Sequence, residues 1–224
     1  MILTLQSKTH LHGNVWRFCF TPDQPVTWLA GQFIRLEIPH SNPDAGGSTR
    51  WFTISGAPYE QAITITTRLT LSSFKQALGA LTFGGKATMV GAPAGDFIWR
   101  LDPVEHLFVA QGIGITPFYA IIKDRIQLSI PVHATLVYAS RTAEPAIYQS
   151  ELDAWAKQDR TLKIQSFAGT LTAPQLIILI PDFARRYVYV SGPKSFLSLC
   201  IPPHQLPLSR LKQDNFPGYS ATNY

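Results

Sequence analysis

Cysteine is scarce: two in 224 residues, Cys19 and Cys200, far apart and outside any C-x-x-C or Cys/His spacing. That excludes a cysteine-ligated iron-sulfur cluster or structural zinc site within the chain, and no metal constellation is expected, so redox chemistry would need a group from elsewhere. Charge is also sparse, 15% of residues against 46% apolar, a balance that fits neither a disordered chain nor a coiled coil. The 19 basic residues are scattered, with Arg185-Arg186 the only adjacent pair, so a net charge of +5 forms no nucleic-acid stripe, although an acidic protein partner is compatible with it. No run of 18 apolar residues occurs, and residues 1–10 lack the charged start and apolar stretch of a secretion signal. The expectation is a soluble cytoplasmic protein without a membrane span.

What is present points to two kinds of architecture. The length allows one large domain or two small ones, and surface scaling predicts that folding buries roughly 72% of the extended chain's surface. From residue 1 to 101 short alternating apolar runs are cut by turn residues: Val15 to Phe20, Gln32 to Ile38, Trp51 to Ser55, Ile63 to Arg68 and Ala87 to Val90. Period two at this spacing predicts antiparallel strands in a small barrel or sandwich. From 102 to 224 the pattern changes. Strand-like runs at Leu107 to Ala110, Ala134 to Ala139, Leu162 to Phe167 and Tyr187 to Ser191 alternate with helix-length stretches at Pro117 to Ile126, Ala146 to Lys157 and Pro174 to Ile180. That alternation predicts a parallel sheet covered on both faces, with the boundary at Leu101-Asp102-Pro103.

Two motifs carry chemistry. The strand Leu107 to Ala110 runs into Gln111-Gly112-Ile113-Gly114-Ile115-Thr116-Pro117 and then into a helix. Two glycines allow a tight turn and close approach to an anion, Pro117 suits the first helical position, and Thr116 can cap or donate. Charge-assisted bonds to a pyrophosphate are worth about 1.5–3 kcal/mol each. A strand-to-helix turn without a ligand accounts for this motif equally well. In the first half, Arg50-Trp51-Phe52-Thr53-Ile54-Ser55 places a cation, aromatics and a hydroxyl on one strand. Alternation sends Arg50 and Phe52 to one face, Trp51 and Thr53 to the other. A flavin fits such a surface, and so does an ordinary strand with an exposed arginine and a core aromatic.

The order of these motifs, followed by Tyr189-Val190-Ser191-Gly192-Pro193, resembles the ferredoxin-NADP reductase family over nearly the whole chain. Ala30-Gly31-Gln32-Phe33, Gly91-Ala92-Pro93-Ala94-Gly95-Asp96-Phe97, Val137-Tyr138-Ala139-Ser140-Arg141-Thr142 and Asp214-Asn215-Phe216 agree in order. The resemblance implies an N-terminal antiparallel β-barrel flavin domain (1–101) and a C-terminal Rossmann-like α/β nucleotide domain (102–224). It implies that Arg50 pairs with the cofactor phosphate, that Phe52, beside Trp51, packs on the flavin, and that Thr53 lies near flavin N5. It implies backbone contacts from Ile65, Thr66 and Thr67, and a phosphate site at Ser72, Ser73, Phe74 and Lys75, which favours FAD over FMN. On the nucleotide side it assigns Gly112, Ile113, Gly114, Ile115, Thr116 and Pro117 to the pyrophosphate. Ser140 and Arg141 fall to the ribose, and Ser191, Gly192 and Pro193 to the nicotinamide end. Arg141 also reads as a solvated or ion-paired residue.

The chain departs from the family pattern at three points. Ser191 stands where cysteine is usual, Phe52 where tyrosine is common, and Gly-Ile-Gly where Gly-Thr-Gly is commoner. Gln165-Ser166-Phe167-Ala168-Gly169 lacks the Ser-Arg pair of members selective for a 2′-phosphate, so NADH is favoured over NADPH. Asp214 and Phe216 match a terminal acid and aromatic that sit against the flavin, with residues 217–224 continuing beyond them. The implied activity is NAD(P)H-dependent flavoprotein reduction, with electrons passed singly to a separate acceptor: a ferredoxin, flavodoxin, oxygenase component or small acceptor. Two alternatives are a flavin-binding subunit that works only in a larger complex and a binding module that kept the fold without turnover.

Overall fold

A computed structural model describes residues 1–101, 104–140, 146–201 and 206–214. The chain divides into two compact units, Met1–Ile98 and Trp99–Tyr224, the second opening just before Leu101-Asp102-Pro103.

In the first unit β1 (Ile2–His12), β2 (Val15–Pro22), β3 (Phe33–Glu37), β4 (Thr49–Thr53), β5 (Ile63–Arg68) and β6 (Lys86–Met89) form one antiparallel sheet in the order β4-β3-β6-β1-β2-β5. Just beyond β4, a bridge between Ile54 and Ile65 joins the two ends of that order, and the Ser55 amide donates to the Thr64 carbonyl at 2.8 Å, so the sheet is barrel-like. Alternation sets the inner face: Phe18, Phe20, Ile34, Leu36, Ile63 and Ile65 are fully buried. Each such side chain contributes about 1.5–3 kcal/mol relative to an exposed one.

β1 is missing from the strands expected from alternation, and its burial explains why. Leu3 and Leu5 are its buried residues; after a register shift between Leu5 and Ser7 the strand continues as a largely exposed arm paired with β2. α1 (Ser73–Ala80) begins after Ser72, whose hydroxyl accepts from the Lys75 amide at 3.3 Å. Phe74 and Leu78, one turn apart, carry it onto the barrel core.

The second unit holds a parallel sheet of β7 (His106–Gln111), β8 (Ala134–Ser140), β9 (Leu162–Ala168), β10 (Tyr187–Ser191) and β11 (Leu211–Gln213), in the order β11-β10-β7-β8-β9. Between the strands run α2 (Thr116–Gln127), α3 (Gln149–Gln158), α4 (Ala173–Leu179) and α5 (Lys194–Cys200). All residues of β7 and β10 are buried, the continuous pattern of strands covered on both faces. On one face Leu107, Val109, Val137 and Val188 pack with Leu176 of α4 and Phe196 and Cys200 of α5. On the other, Phe108 stacks on Phe118 of α2 with centroids 4.8 Å apart. β11, three residues long, is too short to show a period in the sequence, and α5 is likewise absent from the expected elements. No described helix is long and apolar enough to cross a membrane.

This strand order places a functional crevice. From β7 the chain steps outward to β8 and β9, then returns to β10 and β11 on the opposite side of β7. Open α/β sheets bind ligands beyond the carboxyl ends of the two strands where the order reverses, here β7 and β10.

Candidate functional sites

In the first unit, β4 and the start of α1 bring two cations together. Arg50 donates through Nη1 to the carbonyls of Gly46, Gly47 and Thr49 at 2.7, 2.9 and 2.8 Å, and through Nη2 to the Asp44 carboxylate. Its guanidinium lies 5.3 Å from the Phe74 ring. The Arg50 hydrogen bond holds the Asp44 carboxyl below the usual range. Lys75 is buried, with Nζ 4.4 Å over the Phe52 ring and donating to Thr67 Oγ1. Burial pushes its ammonium down to about 7, and the positive charge of Arg50 adds to the effect. Phe52 and Phe74 are neighbours at 5.8 Å.

The alternation expected for this strand holds in the contacts. Arg50 and Phe52 both meet Phe74, whereas Trp51 lies edge-on to Phe33 at 5.1 Å and beneath Arg35 at 6.0 Å. Thr53 is buried opposite Phe33 in the β3 register. Ile65 belongs to the barrel core, and Thr66 Oγ1 is 3.0 Å from Ser55 Oγ. Ser73 is engaged on both sides: its oxygen accepts from the Asp44 amide at 3.0 Å and lies in hydrogen-bond contact with His40 Nε2 at 3.0 Å, while His40 Nδ1 donates to the Ile38 carbonyl at 2.7 Å. With Ser72 capping α1, the hydroxyls expected at a phosphate are occupied within the protein. The cations are the part that fits. Lys75 has one oxygen partner, Thr67, and Arg50 stands beside it with one carboxylate, so an added phosphate would meet a guanidinium and an amine that gains its proton as the anion arrives. His40 and Asp44 lie outside the sequence motif; the loop Asp44-Ala45-Gly46-Gly47 just before Arg50 was their only signal.

In the second unit the site is built mostly of main chain. Gly112 takes φ +56°, and Gly112–Ile115 form a single tight turn that feeds directly into α2. Thr116 is therefore the first helical residue and Pro117 the second, one position later than expected. Thr116 does not cap the helix; its hydroxyl donates back to the Ile113 carbonyl at 3.1 Å. A Cβ on Gly114 would fall 2.3 Å from the Ser191 carbonyl oxygen and 2.7 Å from the Gly192 nitrogen, so main chain touches main chain where the sheet order reverses. Tyr138 Oη donates to the Gly112 carbonyl at 3.1 Å, bracing the turn from β8. Ile113 lies half-buried in that turn, and Ile115 is fully buried. Glycine at 114 is thus required by the neighbouring strand end, and the tight turn at 112–115 leaves the backbone amides of a helix start, which fit a pyrophosphate.

Ser191 ends β10 and donates to Asp214 Oδ2 at 2.8 Å; both are buried. Burial pushes the Asp214 carboxyl up to about 6, against the lowering effect of the Ser191 hydrogen bond. Pro193 occupies the cap of α5, and Ser140 ends β8, its carbonyl accepting from the Gly169 amide at 2.7 Å. Arg141 and Phe216 lie outside the described residues. Gln165 to Ala168 sit inside β9, so of the stretch read for 2′-phosphate selectivity only Gly169, at φ +102°, follows the strand. Gln111, the last residue of β7, gave no sequence signal for its side chain. It is 3% exposed, and neither its carboxamide nitrogen nor its oxygen has a hydrogen-bond partner, an arrangement that costs about 1–3 kcal/mol for each group left unmet.

Comparison with known proteins places these features. Residues 108–175 match the family model of the oxidoreductase NAD-binding domain, a span that contains the glycine turn and β8. The fold superposes on the ferredoxin-NADP+ reductase of Plasmodium falciparum with a TM-score of 0.77 at 14% identity, covering 96% of this chain and 95% of that one. The fold is that of the ferredoxin-NADP+ reductases. The flavohem-like FAD/NAD-binding domain of nitric oxide dioxygenase from Vibrio cholerae gives a TM-score of 0.79 at 18% identity over 96% of this chain and 98% of that one. In sequence, the chain is 26% identical over 225 residues to the glycine betaine monooxygenase reductase subunit of Pseudomonas aeruginosa, covering 91% of this chain and 60% of the relative. It is 27% identical over 183 residues to the ferredoxin reductase component of the 3-ketosteroid-9-alpha-monooxygenase of Mycobacterium tuberculosis, covering 79% and 50%. The chain thus spans 50–60% of the length of these two curated relatives. The two-part architecture expected from the sequence, an antiparallel barrel-like unit followed by a parallel α/β unit, is the fold observed.

Proposed function

We propose that the chain is an NAD(P)H-dependent flavoprotein reductase that binds FAD in its first unit and a nicotinamide dinucleotide in its second, and delivers electrons to a separate acceptor. The observation that carries this reading is the main-chain contact of Gly114 with Ser191 at the point of strand reversal, inside a unit that matches the oxidoreductase NAD-binding model. Bound flavin would supply the conversion of a two-electron donor into single-electron delivery.

The chain's own groups do the rest. Arg50 and Lys75 would hold the flavin phosphate, with Phe52 and Phe74 supplying apolar surface beside it. Gly112 and Gly114 admit the dinucleotide pyrophosphate to the start of α2. Ser191 donates a hydrogen bond to Asp214, whose carboxyl, pushed up to about 6, can gain or lose its own proton close to neutral pH. Hydride transfer needs no covalent bond to residue 191, so a serine there is compatible with turnover while altering how the nicotinamide is seated. Residues 168–169, at the end of β9, are Ala and Gly and offer no cation to a 2′-phosphate, which favours NADH. The acceptor we propose is an oxygenase component or a ferredoxin, in keeping with the monooxygenase reductases the chain resembles. The net charge of +5 favours an acidic one through long-range attraction.

Anaerobic titration of the FAD-reconstituted protein with NADH and with NADPH, followed at the flavin band, tests donor and competence together. Bleaching by NADH at lower concentration than by NADPH is expected. Failure to bind FAD, or an unbleached flavin band with both donors, overturns the reading.

A further inference from the structure

Gln111 is the largest polar group at the crevice for which the reading above has no use. It ends β7 one step beyond the Ala110 and Ser191 pairing, level with Gly192, and a Cβ on Gly192 would lie 3.2 Å from the Gln111 Cβ. The side chain is buried, yet both carboxamide heteroatoms lack partners. Folded chains rarely leave a buried donor and a buried acceptor unmet on the same residue, and such an exception at a ligand crevice points to a partner that arrives with the ligand.

The chemistry of the vacancy narrows that partner. A glutamine presents an N–H donor and a carbonyl acceptor side by side, so its complement presents an acceptor and a donor. A pyrophosphate offers acceptors alone. In sheets of this topology the pyrophosphate sits on the turn after the first strand, and the adenosine half extends over the second strand, here β8. The remaining half then lies over β10, where Gln111 adjoins Gly192. We propose that Gln111 reads the carboxamide of the nicotinamide ring by a paired donor and acceptor contact, making it a specificity-determining residue of the dinucleotide site. The inference rests on the dinucleotide reading above.

Titration calorimetry with NAD+, with its 3-acetylpyridine analogue and with ADP-ribose tests it on the purified chain without turnover. The analogue is neutral and keeps the carbonyl but has no N–H donor; ADP-ribose lacks the ring. The wild-type chain is expected to bind NAD+ roughly tenfold more tightly than the analogue, the size of one lost hydrogen bond with its partner left buried. In Gln111→Leu that preference disappears, NAD+ falls to the level of the analogue, and ADP-ribose binds as before. Equal wild-type affinity for NAD+ and the analogue overturns the proposal without recourse to any variant, as does an equal loss of all three ligands in Gln111→Leu. Failure of wild type to bind ADP-ribose overturns the dinucleotide reading itself, and this inference with it.

Discussion

On the proposed function, the two units hold a phosphate by opposite means. The first uses side chains: Arg50, gripped by three carbonyls and Asp44, and Lys75, buried against Thr67 and Phe52. The second uses space: Gly112 turns at φ +56°, and Gly114 lies against the main chain of Ser191 and Gly192 with no side chain between them. A site made of charge should respond to pH and to loss of a cation, and a site made of space to the addition of a single carbon. The contrast also explains why two motifs in one chain differ in what surrounds them. Arg50 carries a dedicated loop, while the glycine turn needs nothing beyond the strand end and the helix that the sheet already provides.

The largest effect should come from the smallest substitution. Gly114→Ala places its methyl carbon 2.3 Å from the Ser191 carbonyl oxygen, and because both sides are backbone neither can rotate away. Overpacking costs about 1–3 kcal/mol where side chains can shift, and more where only backbone stands in the way. Loss of measurable NADH binding by calorimetry is expected, with the flavin absorbance spectrum unchanged; retained NADH affinity would remove the cradle from the nucleotide site. Next comes Arg50→Ala. Loss of one charge-assisted contact worth about 1.5–3 kcal/mol should weaken FAD binding roughly tenfold to a hundredfold, while NADH binding survives. Parallel losses in both ligands for either variant would erase the proposed division of labour.

Lys75 sharpens the comparison through pH. Its folded pKa is depressed from 10.5 to about 7, so between these values the unfolded chain holds more protons and the stability of the flavin-free protein should rise with pH. A bound phosphate favours the ammonium, so FAD binding should take up a proton and weaken by roughly tenfold per pH unit above about 7. Thermal melts and FAD titrations from pH 6.5 to 9 read both trends, and Lys75→Met should flatten them. The smallest effect belongs to Asp214. Its carboxyl, raised from 3.8 to about 6, contributes stability that is fully present below 3.8 and is lost as pH rises through 6. Asp214→Asn should remove that step from the melting profile; an unchanged profile would mean the carboxyl titrates elsewhere.

Legibility in the sequence followed the same divide. Strands such as β5 and β10 were readable because burial imposes either a two-residue period or an unbroken apolar run, and the glycine turn was readable because close approach demands glycine. β1 was not, since its pairing is made by backbone while only Leu3 and Leu5 are buried. The helix start was misplaced by one residue because the turn at Gly112–Ile115 continues into α2 without an extended cap residue between them. Arg50 stood out as a cation on a strand, but its carboxylate, Asp44, comes from a loop whose fold depends on Ser73 and His40, contacts distant in sequence. Gln111 was invisible for a different reason. A glutamine at a strand end is unremarkable until its surroundings are known to be closed.

The contact between Gly114 and the Ser191 carbonyl also fixes an order of events. The turn after β7 is synthesised first, but the strand end that forms its opposite wall lies much further along the polypeptide, beyond β8, β9 and the helices α2, α3 and α4. A growing or proteolysed chain that stops short of residue 191 therefore has the turn without the wall. On the proposed function, capture of the dinucleotide becomes a property of the finished sheet, acquired only when its fourth strand docks beside its first.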